Sequence, residues 1–196
     1  SAFWPLNCSE PKINVIKSDA NITESIQKKI SEISTNGLPK LVRLWQILIK
    51  SFEELIKKKV KIIFTVDCGT LSFDAINFAR DKEIDVIVLD HHQSEINLPR
   101  AFSVINPNRL DDKSNLQYLC AAGVSFMFLV SLNERLRSNN WFEKKNINQP
   151  NLLNYLDLVS LGTVCDVVPL TGLNRAIVKQ GLKVIKLKKN LGLKTL

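Results

Sequence analysis

The sequence predicts an α/β fold, a parallel β-sheet flanked by helices on both faces in three α/β/α layers. Three observations carry that expectation. Residues 85–89 form an apolar run with no polar alternation, the pattern of a strand buried on both faces. Residues 60–66 form a second, β-branched run, and the segment between the two has helical spacing, so strand, helix and strand follow one another and the strands should lie parallel. Each run ends abruptly in a carboxylate, Asp67 and Asp90, and Asp90 is followed by His91 and His92, the only two histidines in 196 residues. In open parallel sheets ligands bind just beyond the carboxyl ends of the strands.

Size and composition bound what such a sheet belongs to. With 45% hydrophobic residues the chain is long enough for one main core, or a core and a small appendage. The formal net charge is +8, and lysines cluster at Lys57, Lys58, Lys59 and Lys61 and again at Lys183, Lys186, Lys188 and Lys189. That charge suits a polyanionic partner, nucleic acid before membrane, although lysine-rich solvated helix faces would look the same. The four cysteines are widely spaced without a C-x-x-C pair, and read as free thiols in a reducing compartment. No apolar stretch reaches roughly 18 residues without a charge, and the amino terminus lacks the pattern of a signal peptide. A cytoplasmic protein that does not engage membrane is expected.

Residues 1–49 are set apart as an atypical amino-terminal segment, and residues 50–196 as the main domain. A short strand is expected over 13–16, then a helix over 21–34 with isoleucines at spacings of three and four, ended by Gly37 and Pro39. Helical pattern resumes over 41–59. The strand over 60–66 comes next, then a helix over 71–80 with Ala75, Ile76 and Ala79 inward, and the strand over 85–89. Residues 102–105 offer a third strand, closed by the turn chemistry of Asn106, Pro107 and Asn108. A helix over 121–137 is apolar almost all round and should be buried against the sheet. Another runs over 151–161 with Leu152, Tyr155, Leu156 and Val159 on one stripe, capped by Gly162, and a last amphipathic, lysine-rich helix covers 174–188.

Asp166 stands in the otherwise apolar segment 163–170, where a carboxylate is expensive unless paired, hydrogen-bonded or bound to metal. Singly, each polar residue has a plain structural explanation: a turn for Asp67, a cap or surface pair for His91 and His92, an N-cap for Asp166. Together they form a donor set of mainly hard oxygens, which suits manganese or magnesium better than zinc and hydrolysis of a phosphate ester or anhydride.

Several motifs then stand in a familiar order: Thr65-Val66-Asp67-Cys68-Gly69, Val88-Leu89-Asp90-His91-His92, Val104-Ile105-Asn106-Pro107-Asn108, Ala122-Gly123-Val124 and the long run 158–170. Over roughly residues 50–196 the chain resembles the DHH phosphoesterases, and within them the RecJ-type single-strand-specific exonucleases. The resemblance implies a DHH domain that hydrolyses single-stranded DNA with Mn2+ or Mg2+ and a metal-activated water, in DNA repair and recombination. It implies a two-metal site, with Asp67 bridging the metals and His91 and Asp166 as further ligands, Asp90 as ligand support and His92 at the scissile phosphate, so that Asp90 and His92 are the catalytic pair. It also offers Asn106, Asn108, Arg109 and Gly123 as nucleic-acid contacts. Two departures stand beside it. The D-x-D-x-D-G motif expected on an earlier strand is not recognisable, the nearest candidate being residues 13–21, and the chain stops before the family's carboxy-terminal domain. Two other readings therefore stay open: a remnant that binds metal or nucleic acid without turnover, and a hydrolase of small phosphates or short oligonucleotides.

Overall fold

The computed structural model describes residues 52–195. The expected strand over 13–16 and helix over 21–34 lie outside the described residues, as do residues 41–51 of the helical pattern expected over 41–59. Three strands, β1 (Ile62–Val66), β2 (Asp85–Leu89) and β3 (Ser103–Ile105), form one parallel sheet in the order β1-β2-β3. Helix α1 (Phe73–Asp81) is the crossover between β1 and β2. The register pairs Val66 with Leu89 and Leu89 with Ile105, so all three strands end at one rim.

Residue alternation decides the layers. Ile63, Val86, Val88 and Val104 point to one face, where they bury Ala75, Ile76 and Ala79 of α1 together with Phe52 from the helical residues 52–57. Ile87 and Leu89 point to the other face, also buried, towards helix α2 (Ala121–Ser138), and Phe64 meets Phe128 of α2 at 5.8 Å between ring centroids. Strand β2, central and covered on both sides, is therefore the one with no polar alternation.

Helix α2 departs from expectation. Only Ala121, Gly123 and Val124 are buried, while Leu129 is 44% exposed. Three strands span roughly 10 Å between outer axes, whereas an 18-residue helix extends about 27 Å, so its later turns run past the described sheet.

A short helix α3 (Trp141–Lys144) and a 3-10 turn (Leu152–Tyr155) lead into α4 (Leu156–Cys165), which packs on α5 (Gly172–Lys186) through Leu156, Val159 and Ile177. A final short helix, α6, covers Leu191–Thr195. Gly162 does not cap the helix before Asp166. It lies inside α4, and a Cβ there would sit 2.8 Å from the Ala122 Cβ, so the glycine permits close contact between α4 and α2. The helix therefore continues to Cys165 and places Asp166, expected as an N-cap on structural grounds, at its C-cap. Cys68, Cys120 and Cys165 are free thiols, and no described helix is long and apolar enough to cross a membrane.

Candidate metal centre

The register of β1 on β2 builds the site. Asp67 follows Val66, and its amide donates to the Leu89 carbonyl at 2.9 Å, while the Asp90 amide donates to the Ile105 carbonyl at 3.1 Å. The two carboxylates thus leave adjacent strands side by side. Asp67 turns the chain in the left-handed region, φ 63°, which aspartate tolerates better than most residues. Gly69 follows with φ 118°, and a Cβ on it would meet the Thr65 Oγ1 at 2.6 Å. That turn delivers Thr70, buried, beneath Asp90.

Asp90 is 2% exposed and fully engaged. Its Oδ2 accepts from the Thr70 amide at 3.0 Å. Its Oδ1 accepts from the amides of His91 at 2.8 Å and His92 at 3.3 Å, and faces His92 Nδ1 at 2.7 Å. Burial alone would raise its pKa, but hydrogen bonds from His92, Thr70 and His91 outweigh burial and bring it from 3.8 down to about 2. A folded-state value below the unfolded one stabilises the protein above about pH 4, and the contribution is lost as pH falls through about 2. A shift of this size corresponds to about 2 kcal/mol. Urea unfolding between pH 5 and pH 2 should therefore show wild type losing about 2 kcal/mol more than Asp90→Asn, and equal losses would contradict the assignment.

The same contact raises the pKa of His92, through its hydrogen bond to Asp90 first and then the charges of Asp90, Asp67 and Asp166, against desolvation. The sign is opposite: this contribution is complete below the ordinary histidine value and fades as pH rises through the raised one. With Nδ1 engaged by Asp90, the half-exposed ring of His92 keeps Nε2 as the nitrogen left for another partner.

His91 is only 15% exposed, and its Nε2 lies 3.2 Å from Asp67 Oδ1 and 3.5 Å from Asp166 Oδ2. Ligand atoms placed cis around an ion at about 2.1 Å lie roughly 3 Å apart, so His91 Nε2 stands at donor spacing from each of the two carboxylates. Among the described residues, the donor atoms that all lie within 4.8 Å of one another are those of Asp67, His91 and His92, with Asp166 approaching from the His91 side. Asp166 reaches the site from the C-terminus of α4, where the helix dipole disfavours a carboxylate, and the next residue, Val167, is left-handed at φ 56° although β-branched. Local backbone preference is overridden at the point where Asp166 is presented, as functional sites often show. The Cys68 thiol, on an exposed residue, is pushed up by desolvation of its sulfur and then by Asp90 and Asp67. It stays protonated at neutral pH, which leaves the donor set hard.

Asn106 and Asn108, expected as nucleic-acid contacts, have partners within the protein. Asn106 is 3% exposed, and its amide donates to Thr70 Oγ1 at 2.9 Å and to the His92 carbonyl at 2.8 Å. Asn108 donates to the His91 carbonyl, while its own amide donates to Asn106 Oδ1 at 2.8 Å. The two asparagines clamp the backbone of the histidine pair. Arg109 is held by the Val104 carbonyl at 2.7 Å and by both oxygens of Asp111. Gly123 is buried where α2 begins, its amide donating to the Cys120 sulfur. Thr70 is the supporting residue that the sequence reading did not single out. Its place one turn after Asp67 was the available signal.

An aspartate and an Asp-His-His corner at the carboxyl rim of a parallel sheet, closed by Asp166, define an α/β domain with a hard-donor centre. The family model for the DHH family, N-terminal domain, matches residues 12–163, and the chain belongs to that family. Similar proteins include the single-stranded-DNA-specific exonuclease RecJ of Escherichia coli K12, 44% identical over 126 residues, 64% of this chain and 22% of the relative. The RecJ of Thermus thermophilus is 35% identical over 135 residues, 69% of this chain and 18% of that protein. Among solved structures, RecJ from Thermus thermophilus in complex with Mn2+ superposes with a TM-score of 0.60 at 33% identity, covering 76% of this chain and 20% of that one. Exonuclease RecJ bound to manganese does so with 0.60 at 32% identity, covering 75% and 34%. The chain thus spans about a fifth of the length of these curated relatives.

Proposed function

We propose that this chain is the phosphoesterase portion of a RecJ-like exonuclease that hydrolyses single-stranded DNA with manganese or magnesium. The observation that carries the reading is that two carboxylates converge on one imidazole nitrogen, Asp67 Oδ1 at 3.2 Å and Asp166 Oδ2 at 3.5 Å from His91 Nε2, with a His92 donor atom within 4.8 Å of those of Asp67 and His91. The likeness to RecJ proteins, some solved with manganese, supports it. Asp67, His91 and Asp166 would hold the ion, which when bound supplies Lewis-acid polarisation of a phosphate and a lowered pKa for an attacking water. Asp90 holds His92 in the tautomer and orientation that aim Nε2 at a phosphate oxygen. Asn106 and Asn108 fix the backbone on which both histidines ride. A raised His92 pKa keeps a larger cationic fraction near neutral pH, complementary to a phosphodiester anion. The reading sets the chain in the cytoplasm, in DNA repair and recombination, with residues 50–196 as an incomplete DHH-type domain.

A second reading, metal or nucleic-acid binding without turnover, has one observation in its favour: no D-x-D-x-D-G run is written in the sequence. Release of nucleotides from labelled single-stranded DNA, measured across manganese and magnesium concentrations, separates the two. Metal-dependent release that spares duplex DNA is the expected result. Manganese binding with no release from DNA or from a dinucleotide would favour the second reading.

A further inference from the structure

The positive charge of this chain is almost entirely at one end. After Asp166 there are seven basic residues and no acidic one, whereas the preceding 166 residues carry twenty basic and nineteen acidic residues. Four of the seven, Arg175, Lys179, Lys183 and Lys186, fall on α5 at spacings of four, four and three. At 3.6 residues per turn they occupy an arc of about 80° and a length of about 16 Å. All four are exposed. Among the described residues none of them has an acidic partner, in contrast to Arg80, Arg100 and Arg109, each paired with an aspartate.

The stripe is rigidly mounted. Asn174, wholly buried, donates to the carbonyls of Tyr118 at 2.7 Å and Pro169 at 2.9 Å. The opposite face of α5 is packed against α4, with Gly181 so close that a Cβ would lie 2.3 Å from the Leu156 carbonyl oxygen. Helix α4 ends at Asp166, so one stiff helix pair carries both the stripe and a member of the candidate metal centre. This arrangement also selects the partner. An amphipathic helix that lies on a membrane needs its apolar face free for the lipid, and the apolar stripe of α5, Leu173, Ile177 and Val184, is packed against α4, which leaves Leu182 as the one large apolar residue of the helix that is exposed. What remains is a row of cations for a soluble polyanion.

We infer that Arg175, Lys179, Lys183 and Lys186 form a phosphate-tracking surface that holds single-stranded nucleic acid away from the metal centre. The inference rests on the proposed nuclease reading and extends it to a second contact. Remote contacts of this kind convert binding energy into substrate positioning. The surface should be indifferent to base sequence and strongly dependent on salt.

The test is equilibrium binding of a labelled single-stranded oligonucleotide in chelator, on an Asp67→Asn background that prevents hydrolysis. Three proteins are compared: the parent, a Lys179→Gln, Lys183→Gln, Lys186→Gln triple, and a Lys57→Gln, Lys58→Gln, Lys61→Gln triple with the same charge change elsewhere. The α5 triple should bind at least about tenfold more weakly, with a salt slope shallower by about 2. The second triple should resemble the parent. Because a fold defect could mimic the loss, Lys183→Gln alone is included and should lower the slope by about 0.7. Binding to phosphatidylserine vesicles is measured on the same proteins; unchanged oligonucleotide binding, an equal loss in both triples, or a loss confined to the vesicles would overturn the inference. With Asp67 intact, hydrolysis of a dinucleotide, which offers a single internucleotide phosphate and no further backbone for the stripe to track, should survive in the α5 triple. Absence of that hydrolysis in every Asp67-containing protein would instead count against the nuclease reading.

Discussion

Asp67→Asn should lower metal-dependent hydrolysis by about 10³-fold or more while leaving the fold intact. Asp67 Oδ1 lies 3.2 Å from His91 Nε2, and its side chain is 61% exposed, so little packing depends on it. Asparagine keeps the shape of the side chain and is at ease in the left-handed conformation that Asp67 adopts at φ 63°. The substitution therefore removes a charge and leaves the turn. Loss of about 4 kcal/mol of electrostatic stabilisation at the centre corresponds to that thousandfold factor. Steady-state rates across a manganese titration, with thermal melting as the control, provide the measurement. Near-wild-type rates at saturating manganese would remove Asp67 from the centre.

Gly181→Ala should destabilise the protein by about 3 kcal/mol, the upper end of ordinary overpacking. The added Cβ would stand 2.3 Å from the Leu156 carbonyl oxygen and 2.4 Å from Ser160 Oγ, and the nearest of these is backbone, which cannot swing aside. Alanine's better helix propensity, about 1 kcal/mol, offsets only part of the clash. For a chain of this size the melting temperature should drop by roughly 6–12 °C. Gly192→Ala, where the nearest atom is the flexible Asn190 side chain at 3.3 Å, should leave it unchanged or slightly raised. Because α4 carries Asp166, Gly181→Ala should also weaken manganese binding at temperatures where it is still folded. A melting temperature within 2 °C of wild type would show that α4 and α5 are not held so closely.

The legible parts of this chain are those whose physics is local or forced by topology. The unbroken apolar run of β2 announces a strand covered on both faces, and the strand-helix-strand order alone brings Asp67 beside Asp90. Gly162 misleads because a glycine closing an apolar stripe looks the same whether it ends a helix or admits a neighbour; only the position of Ala122, forty residues earlier, distinguishes them. Asp166 shares that difficulty, since its place at the end of α4 follows from the helix continuing through Gly162. The apolar composition of α2 does not reveal that its later turns outrun the three described strands. Asn106 and Asn108 read correctly as turn residues, yet their amides reach Thr70 and the backbone of His91 and His92, partners too distant in sequence for local pattern to find.

In the proposed centre His91, with Asp67 and Asp166, binds the metal while His92 is kept for the substrate. Pulsed electron paramagnetic resonance of bound Mn2+ tests it directly, because a ligating imidazole gives a nitrogen coupling to the electron spin. The coupling should be present in wild type, persist in His92→Gln and vanish in His91→Gln. A coupling that survives His91→Gln, or manganese binding with no nitrogen coupling at all, would contradict the account.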